Sequence, residues 1–344
     1  MPTPLPPIPD LVLAVRRLIA QVPAGRVTTP GTLAAALGNS IAARWIGHYL
    51  LHHDHAANCA CHRVVRAGGL PGPYPQGSEE KVRRLKAEGV EITAGSVDLD
   101  HYEFTDFTSD RPLEKLARYQ TRVAVQVTTR TRCKVPQRLG GVDVSYISPA
   151  EGVAAYTLVD VPSGELLWST VIRRKVRFPY ISSYLTFREL PLLIDLIDEV
   201  RAEGRLAAVT LVDGTGILHP RQAGIACHLG VATGMVTIGV IKKLLCGRVD
   251  ITGLKPLESR PVVLDDAVIG AAIRPTSGSR RPLFVSPGHG LNLASAEQIV
   301  RAVLTGRRLP LPLYWADHLS RQHAKTLRQT KIVTGSIEIR KTRR

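Results

Sequence analysis

The sequence is short of acid. It sets 29 aspartates and glutamates against 45 lysines and arginines, for a formal net charge of +16 and a pI near 10.0. An excess of this sign points to a polyanionic partner, nucleic acid above all. A solubilising basic surface gives the same total, so charge narrows the class without fixing it. Cysteine is scarce and odd in number: Cys59, Cys61, Cys133, Cys227 and Cys246 make no disulfide framework, which fits a reducing cytosol. Cys59 and Cys61 stand too close for a zinc-binding CxxC pair, and no second pair follows. No apolar run reaches membrane-spanning length, and Met1-Pro-Thr-Pro-Leu-Pro-Pro7 has no basic n-region. These absences predict a soluble cytoplasmic protein with no membrane partner. At 44% hydrophobic and 22% charged residues the chain has the composition of a folded protein, and 344 residues predict two domains rather than one core.

What is present begins with helices. Residues 9–21 carry Leu11, Val12, Val15, Leu18 and Ile19 on one helical face. Val22 to Thr29 is a turn and short β segment. Residues 31–37 make a short helix stopped by Gly38-Asn39, and residues 40–51 a second one carrying Arg44. Two short helices about a glycine turn predict a helix-turn-helix, although helical hairpins with no DNA role share the pattern. Cys61-His62 offers a thiolate that an imidazole activates when a carboxylate orients it. An inert buried cysteine beside a surface histidine is the commoner arrangement of such a pair. The tract His52-His53-Asp54-His55 reads either as a metal site or, more commonly for its composition, as an exposed polar loop.

The run from Val22 to Gly89 resembles the C-terminal, active-site domain of the O6-alkylguanine-DNA alkyltransferases. The resemblance is carried by Gly25-Arg-Val-Thr-Thr29, Asn39 with Ala42-Ala43-Arg44, Gly47, Cys61-His-Arg-Val-Val65, Gly72-Pro-Tyr74 and Lys86-Ala-Glu88-Gly89. It implies that Cys61 accepts the alkyl group, that His62 is its water-linked base and that Glu88 orients that base. Arg44 would fill the space of an extruded nucleotide, and Tyr74 joins it as a candidate DNA contact. A base alkylated on its pairing edge must leave the stack before a protein nucleophile reaches it. The acceptor would be consumed by the transfer. The chain departs from the family pattern at Ala60, where a proline is usual, at Pro30, where a tyrosine is frequent, and at His53, in place of the hinge asparagine.

Periodicity lapses from Thr93 to Arg111, which predicts a boundary near 108. Pro112 to about Val127 reads as a helix with proline in its first turn. Gly140 to Tyr146 is a strand with Asp143 in its interior, where a polar group must be satisfied or used. Gly152–Val159 and Glu165–Lys175 are two more strands, joined by the turn Val161-Pro-Ser-Gly164. A helix opens near Tyr184 and carries Glu189 to about Arg201; the helix dipole alone would favour an acid there. The apolar run Leu206–Val212 then delivers Asp213 to a strand end, followed by a glycine-rich turn, His219 and Arg221, though Asp-Gly is ordinary turn chemistry too. A three-strand meander followed by helix–strand alternation predicts a mixed sheet with flanking helices, the ribonuclease H-like plan. Asp143, Glu189 and Asp213 at the edge of one sheet repel one another unless a cation binds, so the pattern implies Mg²⁺. Metal-held acids on a basic protein describe phosphodiester hydrolysis.

Residues 112–318 resemble endonuclease V, the repair nuclease for deaminated adenine. The matching runs are Gly141-Val-Asp143-Val-Ser-Tyr146, Phe178-Pro-Tyr180-Ile181, Phe187-Arg-Glu189, Val212-Asp213-Gly-Thr-Gly-Ile-Leu-His219-Pro-Arg221, Gly224-Ile-Ala-Cys-His-Leu-Gly230, Gly239-Val-Ile-Lys242-Lys243 and Ser286-Pro-Gly-His289. The resemblance implies that Asp143, Glu189 and Asp213 bind metal and that His219 and Lys242 assist at the scissile phosphate. Tyr180 would belong to a strand-parting wedge, in a loop where Ser182 replaces the family's second proline. Asp317, in Trp315-Ala-Asp317-His318, is a further metal candidate.

These readings combine into an α/β protein. A winged helix-turn-helix-like alkyltransferase domain (1–108) precedes a ribonuclease H-like endonuclease V domain (109–320) and a basic tail (321–344), expected as an extended or disordered phosphate-contacting arm. A monomeric DNA-repair protein is expected, acting on DNA that contains deoxyinosine or O6-alkylguanine, with Mg²⁺ or alternatively Mn²⁺. The nick would fall at the second phosphodiester 3′ to deoxyinosine. Two alternatives stay open: that the first domain recognises alkylated DNA without transfer, and that the nuclease prefers inosine in RNA.

Overall fold

The computed structural model describes residues 5–53, 55, 59–276, 278–279 and 281–341, with side chains described to residue 330. Its contacts form two compact units, Pro7–Arg118 with Phe178–Ser182, and Tyr119–Arg177 with Ser183–Arg344 and the first residues of the chain.

In the first unit, α1 (Leu11–Ile19) buries Leu11, Val15, Leu18 and Ile19 along one stripe, and the Asp10 side chain caps it by accepting from Leu13 N at 2.9 Å. Helix α2 (Pro30–Ala36) starts on a Thr29 cap with Pro30 in its first turn. A 3₁₀ turn at Ser40–Ala42, opened by the Asn39 side chain, leads into α3 (Ala43–His52). The helix expected over 40–51 is therefore split at its start, and the helix-turn-helix stands. Helices α4 (Ser78–Ala87) and α5 (Leu99–Tyr102) follow. Short parallel bridges tie Val27 to Glu103 and Thr28 to Val64. They hold the cysteine segment against a core of Val27, Val65, Leu85, Val90 and Val97.

Helix α6 (Pro112–Gln126) contains the division between the units, which falls after Arg118, ten residues beyond the expected boundary at 108. Its first turn belongs with α2. Leu113 N donates to Leu37 O at 2.9 Å, and a Cβ on Gly38 would come within 2.8 Å of Glu114.

The second unit is built on one sheet, ordered β3-β2-β1-β4-β5-β8-β7-β6. Its strands are β1 (Arg138–Ser148), β2 (Glu151–Asp160), β3 (Leu166–Lys175), β4 (Val209–Asp213), β5 (Val236–Ile241), β6 (Ser259–Leu264), β7 (Ala267–Ile273) and β8 (Leu283–His289). The first three form the antiparallel meander expected from the sequence; β4 then lies parallel to β1, and β5 parallel to β4. The mixed sheet of the ribonuclease H-like plan is thus present, extended by an antiparallel run of three strands that the sequence reading did not anticipate. Helices α7 (Leu185–Ala202) and α8 (Ile225–Thr233) cover one face, where Val142, Val212, Leu196 and Leu229 pack together. Helices α9 (Leu293–Ala302) and α10 (Leu311–Lys341) cover the other, against Leu139, Leu211 and Ile238. Strand alternation sorts Leu211 and Val212 to opposite cores.

The expected extended tail is corrected. Residues 321–330 continue α10 and pack on β1 and β2, where Ala324 is buried with Ile147 and Val153, and Arg328 Nε donates to Ile147 O at 3.1 Å. Buried Leu313, Ala316, Ser320 and Ala324 recur at helical spacing beneath the basic composition. The side chains of residues 331–344 lie outside the described residues, as does Asp54. Among the described residues no helix is long and apolar enough to cross a membrane.

Candidate active sites

Parallel register builds the first site. Val142 on β1 pairs with Val212 on β4, so the next residues, Asp143 and Asp213, stand side by side at the same level of the sheet. Asp317 arrives from α10. That helix can approach because β1 carries Gly141, where a Cβ would lie 2.5 Å from the Pro312 backbone. Carboxylate oxygens of Asp143, Asp213 and Asp317 lie within 4.8 Å of one another. The glycine turn after Asp213 is equally constrained, since a Cβ on Gly216 would come 1.9 Å from Pro287 O.

Glu189 lines the same cleft from α7, together with Lys242 and Arg321. It stands outside the trio of closest acids, so the structure pairs Asp143 and Asp213 with Asp317, where the sequence pattern had grouped them with Glu189. Tyr146 Oη donates to Glu189 at 2.6 Å. Burial above all, then the charges of Asp143 and Asp213, pushes the Glu189 carboxyl up to about 8 despite that bond. Burial, followed by the charge of Asp213, raises Asp143 to about 7, while Ser320 Oγ donates to it at 2.5 Å and pulls the other way. Lys242 Nζ bridges Asp213 at 2.7 Å and Asp317 at 3.3 Å. Burial opposes its charge, but the acids outweigh burial and raise its pKa. Arg321 closes the cleft on Asp317 at 3.0 Å. This donor set is all hard oxygen, crowded and partly dehydrated, and it could hold a divalent metal ion.

His219 does not line this cleft. It is buried, with Nε2 against Ser183 O at 3.0 Å and Nδ1 accepting from Arg221 N at 3.2 Å. Burial and then Arg221 push it down to about 4, so it is neutral. Arg221 reinforces the same corner, donating to Gln120 and to Ser183 O. These contacts fix the loop that precedes α7, and with it Glu189. Tyr180 belongs to the segment grouped with the first unit and is 65% exposed, free to meet a ligand. The sequence reading missed Ser320 and Tyr146. Ser320 sits one helical turn after Asp317, a spacing that was there to be read; Tyr146, three residues after Asp143 on a strand, points to the opposite face and carried no such signal.

The second site surrounds Cys61, which is buried in a 3₁₀ turn at Ala60–Arg63. His62 Nε2 meets Glu88 Oε1 at 2.8 Å, and Arg63 donates to both Glu88 oxygens at 2.9 and 2.7 Å. Burial opposes the charge on Glu88, but Arg63 and His62 prevail and lower its pKa. The remaining His62 nitrogen, Nδ1, is buried with no protein partner among the described residues. The imidazole that touches the Cys61 sulfur is instead His55, its Nδ1 at 3.1 Å. Cys59 and Cys61 also meet. The hydrogen bond between them lowers the pKa of Cys59 and, with burial, raises that of Cys61. Lys81, brought down to about 8 by burial, donates to Val64 O. Tyr74 is buried edge-on to His55, whereas Arg44 is exposed in the first turn of α3. The expectation that the His52–His55 tract is an exposed polar loop is corrected: His53 and His55 are half-buried and turned onto the cysteines.

A β3-β2-β1-β4-β5 core with acids meeting on its central strands defines a ribonuclease H-like nuclease unit, here accompanied by a helix-turn-helix unit that carries a Cys-His-Arg motif. The family model for endonuclease V matches residues 120–318, and that for the 6-O-methylguanine DNA methyltransferase DNA binding domain matches residues 10–90. The chain belongs to the endonuclease V family, within its bifunctional methyltransferase/endonucleases. One such relative, from Picrophilus torridus, is 32% identical over 292 residues, covering 85% of this chain and 90% of its own length. Among solved structures, the catalytic domain of human endonuclease V is 32% identical, with a TM-score of 0.60 over 64% of this chain and 98% of that domain. Endonuclease V of Ciona intestinalis, in complex with a 23mer DNA containing an inosine followed by a ribo-adenosine, is 26% identical, with a TM-score of 0.57 over 64% of this chain and all of that one.

Proposed function

We propose that the second unit nicks DNA at the second phosphodiester 3′ to deoxyinosine, and that the first unit transfers alkyl groups from O6-alkylguanine in DNA to Cys61. The observation that carries the nuclease reading is the convergence of Asp143, Asp213 and Asp317 within 4.8 Å in a cleft braced by Lys242. Mg²⁺, with Mn²⁺ as a substitute, fits these donors and would supply charge neutralisation and an acidified water. Glu189 stands beside them as a fourth acid, held by Tyr146. Lys242 offers a point charge to the phosphate once a cation relieves it of neutralising two carboxylates. His219 acts as a positioning residue for the Glu189 loop. Exposed Tyr180 is the wedge candidate, and the +16 charge favours a phosphate backbone. The inosine-bearing complex of the Ciona relative supports the choice of lesion. Digesting matched DNA and RNA strands, each with one inosine, tests that choice; faster cleavage of the RNA would overturn the DNA assignment.

In the transfer, the Cys61 sulfur attacks the alkyl carbon. The S–C bond forms as the C–O6 bond breaks, and the guanine leaves as its anion and takes up a proton. Glu88 would hold His62 as the base, with its Nδ1 left open for a water, and exposed Arg44 on α3 would fill the space of the extruded nucleotide. Mass spectrometry of the protein after incubation with O6-methylguanine DNA tests this: a methyl gain confined to Cys61 supports transfer, and no gain leaves only recognition.

A further inference from the structure

We propose that His53, His55, Cys59 and Cys61 form a zinc site, with Cys61 bound as a thiolate. One donor atom from each residue lies within 4.8 Å of all the others. His53 Nε2 stands 3.2 Å from Cys59 Sγ, and His55 Nδ1 stands 3.1 Å from Cys61 Sγ. Tetrahedral zinc, with bonds of about 2.3 Å to sulfur and about 2.0 Å to nitrogen, sets ligand–ligand edges of roughly 3.3–3.8 Å. The two His–Cys edges lie within tenths of an ångström of those values, and the remaining edges fall within 4.8 Å, so a contraction of about 1 Å or less closes the site. Two imidazoles and two thiols also make the donor set that selects zinc over the hard cations suited to the acidic cleft.

The surroundings support the same assignment. His53 Nδ1 faces the Tyr49 carbonyl at 3.3 Å. A proton on Nδ1 donates there and leaves the Nε2 lone pair directed at Cys59, the carbonyl–histidine–metal relay found around zinc ligands. The His53 and His55 rings pack with centroids 3.8 Å apart, so both are already turned inward. Zinc displaces thiol protons and holds both sulfurs as thiolates. The spacing explains why the sequence hid the site: His-x-His and Cys-x-Cys match no familiar zinc motif. One departure from the alkyltransferase pattern is thereby accounted for, because His53, in place of the usual asparagine, is itself a ligand.

The inference goes beyond alkyl transfer and stands or falls apart from it. The test uses full-length protein, stripped of metal under reducing conditions and titrated with Co²⁺ while excess Mg²⁺ occupies the carboxylate cleft. One equivalent should give thiolate-to-cobalt charge-transfer absorption and the intense visible bands of a tetrahedral site, and Zn²⁺ should bleach both. Cys59→Ser should lose much of the charge-transfer intensity, and His53→Ala should weaken binding by about 10-fold or more. Cys246→Ser should leave the spectrum unchanged. Absence of charge-transfer absorption in the wild-type protein, which involves no variant that might misfold, overturns the site, as does an unchanged spectrum in Cys59→Ser. Methyl gain at Cys61 is scored separately. Transfer without thiolate–metal absorption overturns the zinc site and keeps the proposed function, and absorption without transfer does the reverse.

Discussion

Asp143 and Asp213 are neighbours because β1 and β4 run parallel in a register that pairs Val142 with Val212. Two carboxylates are thereby forced together, and burial already disfavours the charge of Asp143. Asp143 is consequently raised to about 7, and the shared cation Lys242 reaches Asp213 but not Asp143. The cleft therefore holds protons at neutral pH that a divalent cation must displace.

The pH dependence follows with its sign. Asp143 near 7 and Glu189 near 8 both lie above their unfolded values, so the metal-free native state keeps protons that the unfolded chain has released. Without a cation, stability falls as pH rises through 7 to 8. Cation affinity runs the other way, rising over that window and falling as pH drops below it. Thermal melts in EDTA and in Mg²⁺ should therefore diverge more at pH 8 than at pH 6. A constant gap across that range would contradict the shifted carboxyls.

Ser320→Ala removes the hydroxyl that orients Asp143. The affinity for Mn²⁺, read by calorimetry, should weaken by about 10–100-fold with the fold retained. An unchanged affinity would mean that Asp143 is held by the sheet alone.

Lys242→Met leaves Asp213 and Asp317 without their bridging ammonium. The metal-free protein should melt lower while bound Mn²⁺ restores the loss. Nicking should fall on the order of 10²-fold even at saturating metal, as expected for loss of a charge that stabilises the reacting phosphate. Full activity at saturating metal would reduce Lys242 to a structural counter-ion.

Glu88→Gln breaks the brace that joins His62 and Arg63 to α4. The first unit should lose about 1.5–3 kcal/mol in urea unfolding, the range for hydrogen bonds to charged groups, and methyl transfer to Cys61 should slow. Transfer at the wild-type rate would place the base elsewhere, with His55 the first candidate by contact.

Much of this was legible in the chain. Asp143 and Asp213 announced themselves as acids on apolar strands, and the meander that opens with the strand of Asp143 set the sheet. Asp317 was legible only through family resemblance, because nothing local marks it; its partnership with Asp143 depends on where α10 crosses β1. The tail was misread because Arg321, Lys325 and Arg328 mask the apolar stripe of Leu313, Ala316, Ala324 and Leu327. The His53–Cys61 cluster was half legible: the histidine tract offered a metal site, but nothing in the spacing of two pairs, each with one intervening residue, showed that they converge.

The most direct measurement is nicking of an end-labelled duplex with one deoxyinosine, in Mg²⁺ or EDTA, against an undamaged control. The acids of the cleft predict a single metal-dependent cut at the second phosphodiester 3′ to the lesion, absent in Asp213→Asn. A folded protein that cuts with neither Mg²⁺ nor Mn²⁺, or cuts equally in EDTA, would contradict the account.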